Sequence, residues 1–505
     1  MNKFGQGIRE DISGRWKYYL SDYTDGFHYK SVASSFFLFF ACLAPAVTFG
    51  GVLSIYTNGA MGVVEMILSS AVCGVLFSVV AGQPLIILGG TGPMLVITAM
   101  LFTLAKSMNL EFMPVYFWVG IWTAILTMSA AVLNLSNIMK FFTRFTDEIF
   151  AALISLIFIY EALSSILNIF TDLGVKNHND TALLTLLLAL GTYTIATNIT
   201  SLRQSKYLNR IMREFLSDFG PIIAIVIMTA VAYAFDKVNL DALPAPDQFG
   251  TTSGRDWLID PWGIPVWARF LCIIPAFFVT ILVFLDQNIT ARLVNTLDHK
   301  LKKGVAYHWD MLLVGGLIGI CSFFGLPWLV AATVRSLNHV RGLADFKDIK
   351  NKNGIVENKI VAVKETRISG LLIHLMLGVS LFFLPMIKQV PMAILYGLFL
   401  YMGIVSMQGN QFFERLGLWF MDSELYPQKH YSRITPMSVI HKFTLIQLVA
   451  LIILWGLKVS PAGILFPLFI ALLVPLRFMM KKLFKKEHLD LLDSEEESID
   501  EENHW

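Results

Sequence analysis

Charged residues are scarce in this sequence. Lys and Arg number 39 and Asp and Glu 37 among 505 residues, so only 15% of the chain is charged and the net charge is +2. Soluble domains carry about 25% charged residues, so the deficit excludes a water-soluble globular enzyme. A nucleic-acid-binding protein would need a basic face, whereas these cations are divided among many short polar segments. We therefore expect no nucleic-acid partner.

Cysteine and the common catalytic motifs are also scarce. The four cysteines, Cys42, Cys73, Cys272 and Cys321, lie inside apolar runs without paired spacing. We interpret them as small buried side chains rather than as a disulfide framework or metal ligands. The sequence contains neither an HExxH pattern nor a phosphate-binding GxxxxGKS or GxxxxGKT pattern. We expect no catalytic residues, no cofactor and no resident metal, and therefore no enzyme.

Apolar runs dominate instead. Hydrophobic residues make up 55% of the chain, and the mean hydropathy is +0.63. A helix needs about 20 mostly apolar residues to cross the hydrocarbon layer of a bilayer. The predicted spans are 31–53, 63–81, 85–104, 116–135, 149–170, 182–199, 221–235, 267–285, 311–324, 328–337, 368–386, 392–407, 443–457 and 462–480. These runs predict an all-α polytopic membrane protein with about fourteen transmembrane segments.

The distribution of cations predicts the orientation. If residues 1–30 lie in the cytoplasm, every second loop carries a Lys and Arg cluster, as the positive-inside rule requires of cytoplasmic loops. The opposite loops hold scattered cations, and the longest of them, 237–266, is acidic and rich in Pro. We expect both termini in the cytoplasm, no signal peptide before the first run, and a solvated acidic tail at 481–505.

Proline positions indicate an inverted repeat. Pro45 and Pro275 are 230 positions apart, and Pro93 and Pro327 are 234 apart. Seven spans in each half would give the halves opposite orientations, as in many secondary transporters. The two halves would be 31–236 and 267–480. The third and tenth segments are both interrupted, by GGTGP and FGLPW, and such paired interruptions point to a binding site between repeats.

The Gly- and Pro-rich interruption of the third segment can form an anion-binding site if a helix begins there. The stretch GGTGP at 89–93 can end an extended segment and begin a half-helix, with Pro93 in the first turn, where its missing N–H costs nothing. Free N–H groups and the positive end of the helix dipole favour an anion there. The alternative is a Gly-rich packing kink, which is common in membrane helices.

The tenth segment adds a charge. We expect LPW at 326–328 to start a short helix, which places Arg335 eight positions into the segment. An arginine at the centre of a span costs about 2.5 to 3.5 kcal/mol on insertion scales, so it needs a partner or a wet cavity. The expected partner is Asp286, which shares a helix face with Thr290, so that both can address one ion. The alternatives are an Arg335 that snorkels to the inner interface and an Asp286 that is solvated at its helix end.

Eight longer stretches carry a family resemblance. They are LAPAVTFGG (43–51), GQPLIILGGTGP (82–93), FTDEIFAALISLIFIYEAL (145–163), FLDQNIT (284–290), GLPWLVAATVRSLNHV (325–340), ETRISGLL (365–372), LYGLFLYMG (395–403) and TPMSVIHKFTLIQ (435–447). The sequence resembles the bicarbonate-transporter family, the fourth solute carrier family, which includes chloride/bicarbonate anion exchangers and sodium-bicarbonate cotransporters. The resemblance covers most of 36–477.

The resemblance implies a homodimer of seven-plus-seven inverted repeats, in which a core domain moves against a gate domain. It places the substrate between the N-terminal ends of the third and tenth helices. The residues implied for substrate binding are Thr91, Gly92, Pro93, Met94, Thr333, Val334 and Arg335. Because only about thirty residues precede the first span, the large soluble domain of animal relatives and its partners are not expected.

Within the family the sequence combines features of two branches. Arg335 matches the arginine typical of the anion exchangers, whereas Asp286 matches the aspartate typical of the sodium-coupled members. Together with Thr290 and Thr333, Asp286 resembles the proposed sodium site, so these three residues are the candidates for a coupling ion or proton. A fixed guanidinium beside that site repels a cation, and we therefore favour chloride/bicarbonate exchange by alternating access.

Three further positions differ from or match residues that relatives carry, and two of them bear on inhibition by stilbene disulfonates. Thr98 stands where relatives usually have a glutamate, Tyr56 stands where many have a stilbene-reactive lysine, and Lys458 matches a second such lysine.

The alternatives to chloride/bicarbonate exchange are sodium-coupled bicarbonate or carbonate cotransport, borate transport, an anion channel and a membrane enzyme. The expected partners are bicarbonate or carbonate, chloride, possible sodium, lipid and a second copy of the chain, in the plasma membrane.

Overall fold

A computed structural model describes residues 4–171, 178–202, 205–235, 237–242, 249–350, 356–408, 410–422, 426, 430–460 and 463–493. Residues 243–248 of the predicted loop and residues 494–505 of the predicted acidic tail lie outside the described residues.

Helices form most of the described chain. Those of the first half are α1 (Gln6–Trp16), α2 (Tyr19–Thr24), α3 (Tyr29–Tyr56), α4 (Val63–Val80), α5 (Gly92–Ser107), α6 (Phe112–Val132), α7 (Arg144–Thr171), α8 (His178–Ser201) and α9 (Arg210–Tyr233). Those of the second half are α10 (Val266–Leu271), α11 (Ile273–Val294), α12 (Tyr307–Phe324), α13 (Thr333–Gly342), α14 (Ile368–Ser380), α15 (Leu384–Ile387), α16 (Met392–Met407), α17 (Gln411–Gly417), α18 (His430–Ile434), α19 (Met437–Val459), α20 (Phe466–Ala471), α21 (Leu473–Met480) and α22 (Lys486–Asp493).

Each predicted span overlaps one or more of these helices, although the third and tenth spans begin in extended segments. Among the described residues, nine helices are long and apolar enough to cross a membrane, or ten if α16 and α17 form one bent span. Shorter apolar helices occupy the third, seventh and fourteenth predicted spans, and α13 occupies the tenth. The fold is therefore an all-α multi-pass membrane fold, as the sequence predicts.

Four short strands lie between helices in the part of the chain that the structure describes. The strands β1 (Leu88–Gly89) and β2 (Val330–Ala331) pair with each other in antiparallel fashion. The strands β3 (Ala344–Lys350) and β4 (Val356–Val363) form an antiparallel hairpin between α13 and α14, which the sequence did not predict.

The chain divides into two compact units. Unit 1 comprises Met1–Asn137 and Glu161–Tyr401, and unit 2 comprises Ile138–Tyr160 and Met402–Trp505. In unit 1, α3, α4 and α14 pack around one apolar cluster. Its members are Leu38, Cys42, Ala71, Ile87, Ile373 and Leu377. The repeat boundaries at 31–236 and 267–480 remain predictions.

Unit 2 contains a buried polar network. Glu148 accepts hydrogen bonds from the Arg415 guanidinium and, at 3.0 Å, from Gln447 Nε2. Arg415 also donates to Gln447 Oε1 at 2.9 Å. The buried charges of Glu148 and Arg415 therefore have hydrogen-bonded partners, which membrane burial requires.

Residues 4–30 belong to unit 1, and the cytoplasmic location of the N-terminal segment 1–30 stays a prediction. The buried Asp22 carboxylate pairs with Arg15 at 3.3 Å, Lys303 at 3.0 Å and Arg367 at 3.1 Å. Arg15 also pairs with Glu365 at 3.1 Å. This network ties α1 and α2 to the chain before α12 and to the start of α14. Paired residues of this network are up to 350 positions apart in the chain, so no local sequence pattern predicts it.

A second contact fixes α1 on the start of α12. Asp11 Oδ2 accepts hydrogen bonds from the backbone N–H groups of His308 at 2.7 Å and Trp309 at 3.0 Å. Burial raises the pKa of the Asp11 carboxyl to about 6, and these two hydrogen bonds oppose the rise.

The prediction of a solvated tail is wrong for residues 486–493. They form α22, whose Leu489 and Leu492 side chains are buried within unit 2. Asp493 pairs with Arg477, with Oδ2 at 2.6 Å from Nε. Leucines three positions apart give the short helix one apolar face, which outweighs the acidic composition of the segment.

Candidate functional site

The third and tenth segments meet in unit 1 through their extended parts. Leu88 pairs with Ala331 and Gly89 with Val330, and the Ala332 N–H donates to the Ile87 carbonyl at 2.9 Å. A broken helix exposes peptide groups that hydrocarbon cannot hydrogen-bond. The two breaks satisfy those groups against each other, which places the ends of the two segments side by side.

Side chains of α4 and α6 hold the extended part of the tenth segment, the arm 326–332. The Tyr116 hydroxyl accepts a hydrogen bond from the Trp328 N–H and donates to the Leu326 carbonyl, both at 3.1 Å. The Tyr116 ring stacks on the Trp328 ring with centroids 4.0 Å apart. Ser69 Oγ donates to the Pro327 carbonyl at 2.7 Å. The arm is therefore fixed at three backbone atoms, the carbonyl oxygens of Leu326 and Pro327 and the N–H of Trp328.

Side chains of α13 hold the extended part of the third segment. Ser336 Oγ accepts from the Ile87 N–H at 3.0 Å, and a His339 ring nitrogen lies 2.9 Å from the Leu85 carbonyl. The other His339 nitrogen lies 2.7 Å from Ser369 Oγ. All three polar side chains are buried, so this histidine is a fully partnered structural residue.

The start of the tenth helix differs from the prediction. The helix begins at Thr333, not at Trp328, and Arg335 is its third residue rather than lying deep within it. In a helix from Trp328 the Pro327 carbonyl and the Ala332 N–H would form internal hydrogen bonds, but here they bind Ser69 and the Ile87 carbonyl. In contrast, α5 begins at Gly92 with Pro93 in its first turn, as predicted.

Both half-helices begin at this crossing without side-chain caps. Thr91 precedes α5 and Ala332 precedes α13, and neither position makes a side-chain cap hydrogen bond. The first turn of each helix therefore offers backbone N–H donors and the positive end of the helix dipole. Such starts favour a bound anion.

Arg335 reaches from the tenth segment to the third. Its Nη2 donates to the Gly90 carbonyl at 2.5 Å, and the side chain is half-buried. A Cβ atom at Gly89 would lie 2.1 Å from Nη1, so a side chain at this position would displace the guanidinium. The arginine neither snorkels to an interface nor pairs with Asp286, and the predicted ion pair between them is wrong.

Asp286 and Thr290 instead connect α11 to the two half-helix starts. Thr91 Oγ1 donates to Asp286 Oδ2 at 3.0 Å. The hydroxyls of Thr290 and Thr333 are hydrogen-bonded at 2.7 Å, and Thr290 Oγ1 lies 3.3 Å from the Ala331 carbonyl. Asp286 is only 6% exposed, so the alternative of a solvated, idle carboxylate is also wrong.

The predicted site residues therefore lie around one crossing. Gly92, Pro93 and Met94 are buried, and Thr91 and Thr333 are half-buried. Val334 is the exception, because its side chain is 60% exposed, so only its backbone is placed to face a ligand at the helix start.

Sequence reasoning missed several residues of this crossing. Tyr116 and Ser69 lie in apolar helices and gave no signal beyond being polar atoms within a predicted span. Gln287, next to Asp286, is buried, and neither atom of its side-chain amide is hydrogen-bonded to the protein. A polar pair, Gln287 and Asn288, following Asp286 in an apolar run was the available signal.

Two interrupted segments whose breaks meet are typical of membrane carriers built from inverted repeats. Residues 2–179 and 170–497 match the HCO3- transporter integral membrane domain, and the chain belongs to this family. The family is a transporter family.

Curated relatives agree with this assignment. The chain is 37% identical over 512 residues to the Band 3 anion transport protein of Homo sapiens, covering 97% of this chain and 56% of the relative. It is also 37% identical over 527 residues to the Anion exchange protein 3 of Mus musculus, covering 97% of this chain and 43% of the relative. The chain thus spans about half the length of the curated relatives it matches.

Solved structures support the fold. The transmembrane domain of the cyanobacterial bicarbonate transporter BicA aligns with a TM-score of 0.59 at 15% identity, covering 85% of this chain and 98% of that one. The murine Solute Carrier 26 family member A9 anion transporter in the inward-facing state aligns with a TM-score of 0.61 at 14% identity, covering 94% and 71%.

Proposed function

We propose that this protein is a secondary active carrier that exchanges bicarbonate for chloride by alternating access. The observation that supports this most directly is the Arg335 guanidinium at the meeting point of two uncapped half-helix starts. The names of the Band 3 and Anion exchange protein relatives support an anion as the substrate. We also propose a homodimer in the plasma membrane, surrounded by lipid, with both termini in the cytoplasm.

The proposed anion site combines three sources of positive potential. The backbone N–H groups of Gly92 and Met94 on α5 and of Thr333 to Arg335 on α13 lie at helix starts that follow the paired strands, and each helix start contributes roughly 0.3 to 2 kcal/mol toward an anion. Arg335 has five N–H donors, one of which binds the Gly90 carbonyl. Other N–H groups of the planar guanidinium can bind a carboxylate-like group through two parallel hydrogen bonds. Bicarbonate fits such a pair of donors, and chloride can accept the same donors singly.

The same charge accounts for obligatory exchange. Without a bound anion the guanidinium has as partners the Gly90 carbonyl and the Cys42 thiol, two neutral groups that compensate the charge poorly in a membrane. A bound anion neutralises the charge, so the loaded site crosses more readily than the empty one. Bicarbonate moving one way therefore requires chloride, or another anion, moving back.

Sodium-coupled cotransport of bicarbonate or carbonate is the second candidate. The oxygens of Asp286, Thr290 and Thr333 lie at the two helix starts, and hard cations prefer oxygen ligands of this kind. In the exchange model these residues position the helix starts or carry a proton. Arg335 beside them opposes a sodium ion, which is why exchange is preferred.

Other functions have less support. Borate transport shares the fold but, by family resemblance, generally occurs without the tenth-segment arginine. A channel would need a continuous open path, and a membrane enzyme would need catalytic groups that no part of the site suggests. We propose a carrier that is not an enzyme and that has no resident cofactor.

Flux under separately imposed gradients tests the proposal. Purified protein in liposomes with an internal pH dye is given a bicarbonate gradient, with chloride or gluconate on the opposite face and with sodium or potassium on both faces. Exchange predicts an internal pH change that requires chloride opposite and is equal in the two cations. A flux that requires sodium and proceeds without chloride would establish cotransport instead.

A further inference from the structure

Two of the four cysteines meet inside unit 1. Cys73 of α4 and Cys321 of α12 are each 1% exposed, and their Sγ atoms lie 3.2 Å apart. The sequence gave no sign of this pair, because 248 positions separate the two residues. Packing of α4 against α12 brings them together.

The thiol pair lies directly behind the arm 326–332. Ser69 is one helical turn before Cys73 on α4, and its Oγ lies 3.5 Å from Cys321 Sγ. The same Ser69 Oγ donates to the Pro327 carbonyl. The other two cysteines, Cys42 and Cys272, belong to α3 and to the chain between α10 and α11, and both are free and buried.

We propose that Cys73 and Cys321 are an oxidisable thiol pair, which a small uncharged two-electron oxidant such as hydrogen peroxide closes into a disulfide joining α4 to α12. The short separation carries the proposal, because a second thiol next to the first captures the oxidised sulfur before other reactions do. Neither Cys42 nor Cys272 is recorded in contact with another thiol among the described residues.

The chemistry proceeds in two steps. One sulfur attacks a peroxide oxygen; the O–O bond breaks, and the departing hydroxide takes the thiol proton to give water and a sulfenic acid. The second sulfur attacks the sulfenic sulfur; the S–S bond forms, the S–O bond breaks, and this hydroxide takes the second proton. Two thiols lose two electrons and two protons, and one peroxide becomes two waters.

Burial of Cys73 and Cys321 determines which oxidants and reductants can reach the two sulfur atoms. Hydrogen peroxide is small and uncharged and can enter a packed helix bundle, whereas the charged glutathione tripeptide cannot reach side chains that are 1% exposed. The disulfide, once formed, is therefore expected to persist in the folded protein and to be reduced quickly only after unfolding.

Counting thiols tests the proposal without any transport assay, so its outcome is independent of the proposed function. The full-length purified protein is treated with hydrogen peroxide, quenched with catalase, unfolded in detergent and labelled with maleimide-polyethylene glycol. The wild type should fall from four labelled thiols to two and return to four after dithiothreitol. The matched controls Cys42→Ser and Cys272→Ser should each fall from three to one, whereas Cys73→Ser and Cys321→Ser should keep all three.

Mass spectrometry of the wild-type protein tests the same disulfide without variants, so misfolding of a variant cannot affect the result. Proteolysis of the peroxide-treated protein without reductant should yield a peptide pair crosslinked through Cys73 and Cys321. Four labelled thiols after oxidation, a crosslink through Cys42 or Cys272, or loss of two thiols in Cys73→Ser would each overturn the proposal.

Discussion

The Arg335 guanidinium lies over the backbone of Gly89, where a Cβ atom would come within 2.1 Å of Nη1. Gly89 is thus the residue that lets the tenth segment place its charge against the third. The glycine is needed for a close approach between a backbone and a side chain, since its own φ is not in the left-handed region.

Gly89→Ala should displace the guanidinium and lower chloride-dependent bicarbonate flux. Hydrogen bonds of charged groups are worth about 1.5 to 3 kcal/mol, so we expect a loss of about 10- to 100-fold. Gly316→Ala is the matched control, because a Cβ there meets nothing within 4 Å. In the Arg335→Ala background, where exchange is lost, Gly89→Ala should leave the melting temperature unchanged; a lower melting temperature would mean that Gly89 acts independently of the arginine.

Tyr116→Phe should loosen the arm 326–332. Removing the hydroxyl leaves the Trp328 N–H and the Leu326 carbonyl without that partner, at a cost of about 1 to 3 kcal/mol. We expect a lower melting temperature and a lower flux in the same variant. Tyr233→Phe, at a side chain that is 59% exposed on α9, should change neither. An unchanged melting temperature for Tyr116→Phe would contradict the assigned role of this hydroxyl.

Asp22→Asn should destabilise unit 1 strongly. The buried Asp22 carboxylate has three cations around it, and breaking such buried pairs costs about 3 to 5 kcal/mol. Asp25→Asn is the matched control. Its side chain is 50% exposed and pairs with Lys303 at 2.9 Å, so about 1 kcal/mol or less is expected. Thermal unfolding in detergent would show this difference, and equal shifts for both variants would contradict the burial of the network.

Burial of the Asp11 carboxyl should make stability depend on pH. Its folded-state pKa of about 6 is above the usual value of 3.8, so the folded protein binds the proton more tightly than the unfolded one. The resulting stabilisation is complete below about pH 3.8 and is lost as pH rises through about 6. Asp11→Asn should remove this part of the dependence of melting temperature on pH between 4 and 7. An identical profile in both proteins would refute it.

Local signals account for what the sequence predicted correctly. The break in the third segment and the start of α5 follow from Gly and Pro at 89–93, whose backbone preferences act within a few residues. The long apolar runs likewise specify membrane helices because each helix satisfies its own peptide groups. Asp286, Thr290 and Arg335 stood out because polar groups within such runs are costly.

Non-local contacts account for what the sequence did not predict. The tenth helix begins at Thr333 because the Pro327 carbonyl binds Ser69 and the Ala332 N–H binds the Ile87 carbonyl of the third segment. Asp286 and Arg335 seemed natural partners by charge, yet Asp286 accepts from Thr91 and Arg335 donates to Gly90. The Asp22 network and the Cys73 and Cys321 pair likewise join residues hundreds of positions apart.

The measurement that tests the central claim most directly is chloride-dependent bicarbonate flux in liposomes for substitutions at Arg335. The account predicts that Arg335→Ala abolishes exchange and that Arg335→Lys restores little of it, because lysine lacks the planar fork. Arg341→Ala, at an exposed position of the same helix, should exchange like the wild type. Wild-type exchange by a correctly folded Arg335→Ala protein would contradict the account.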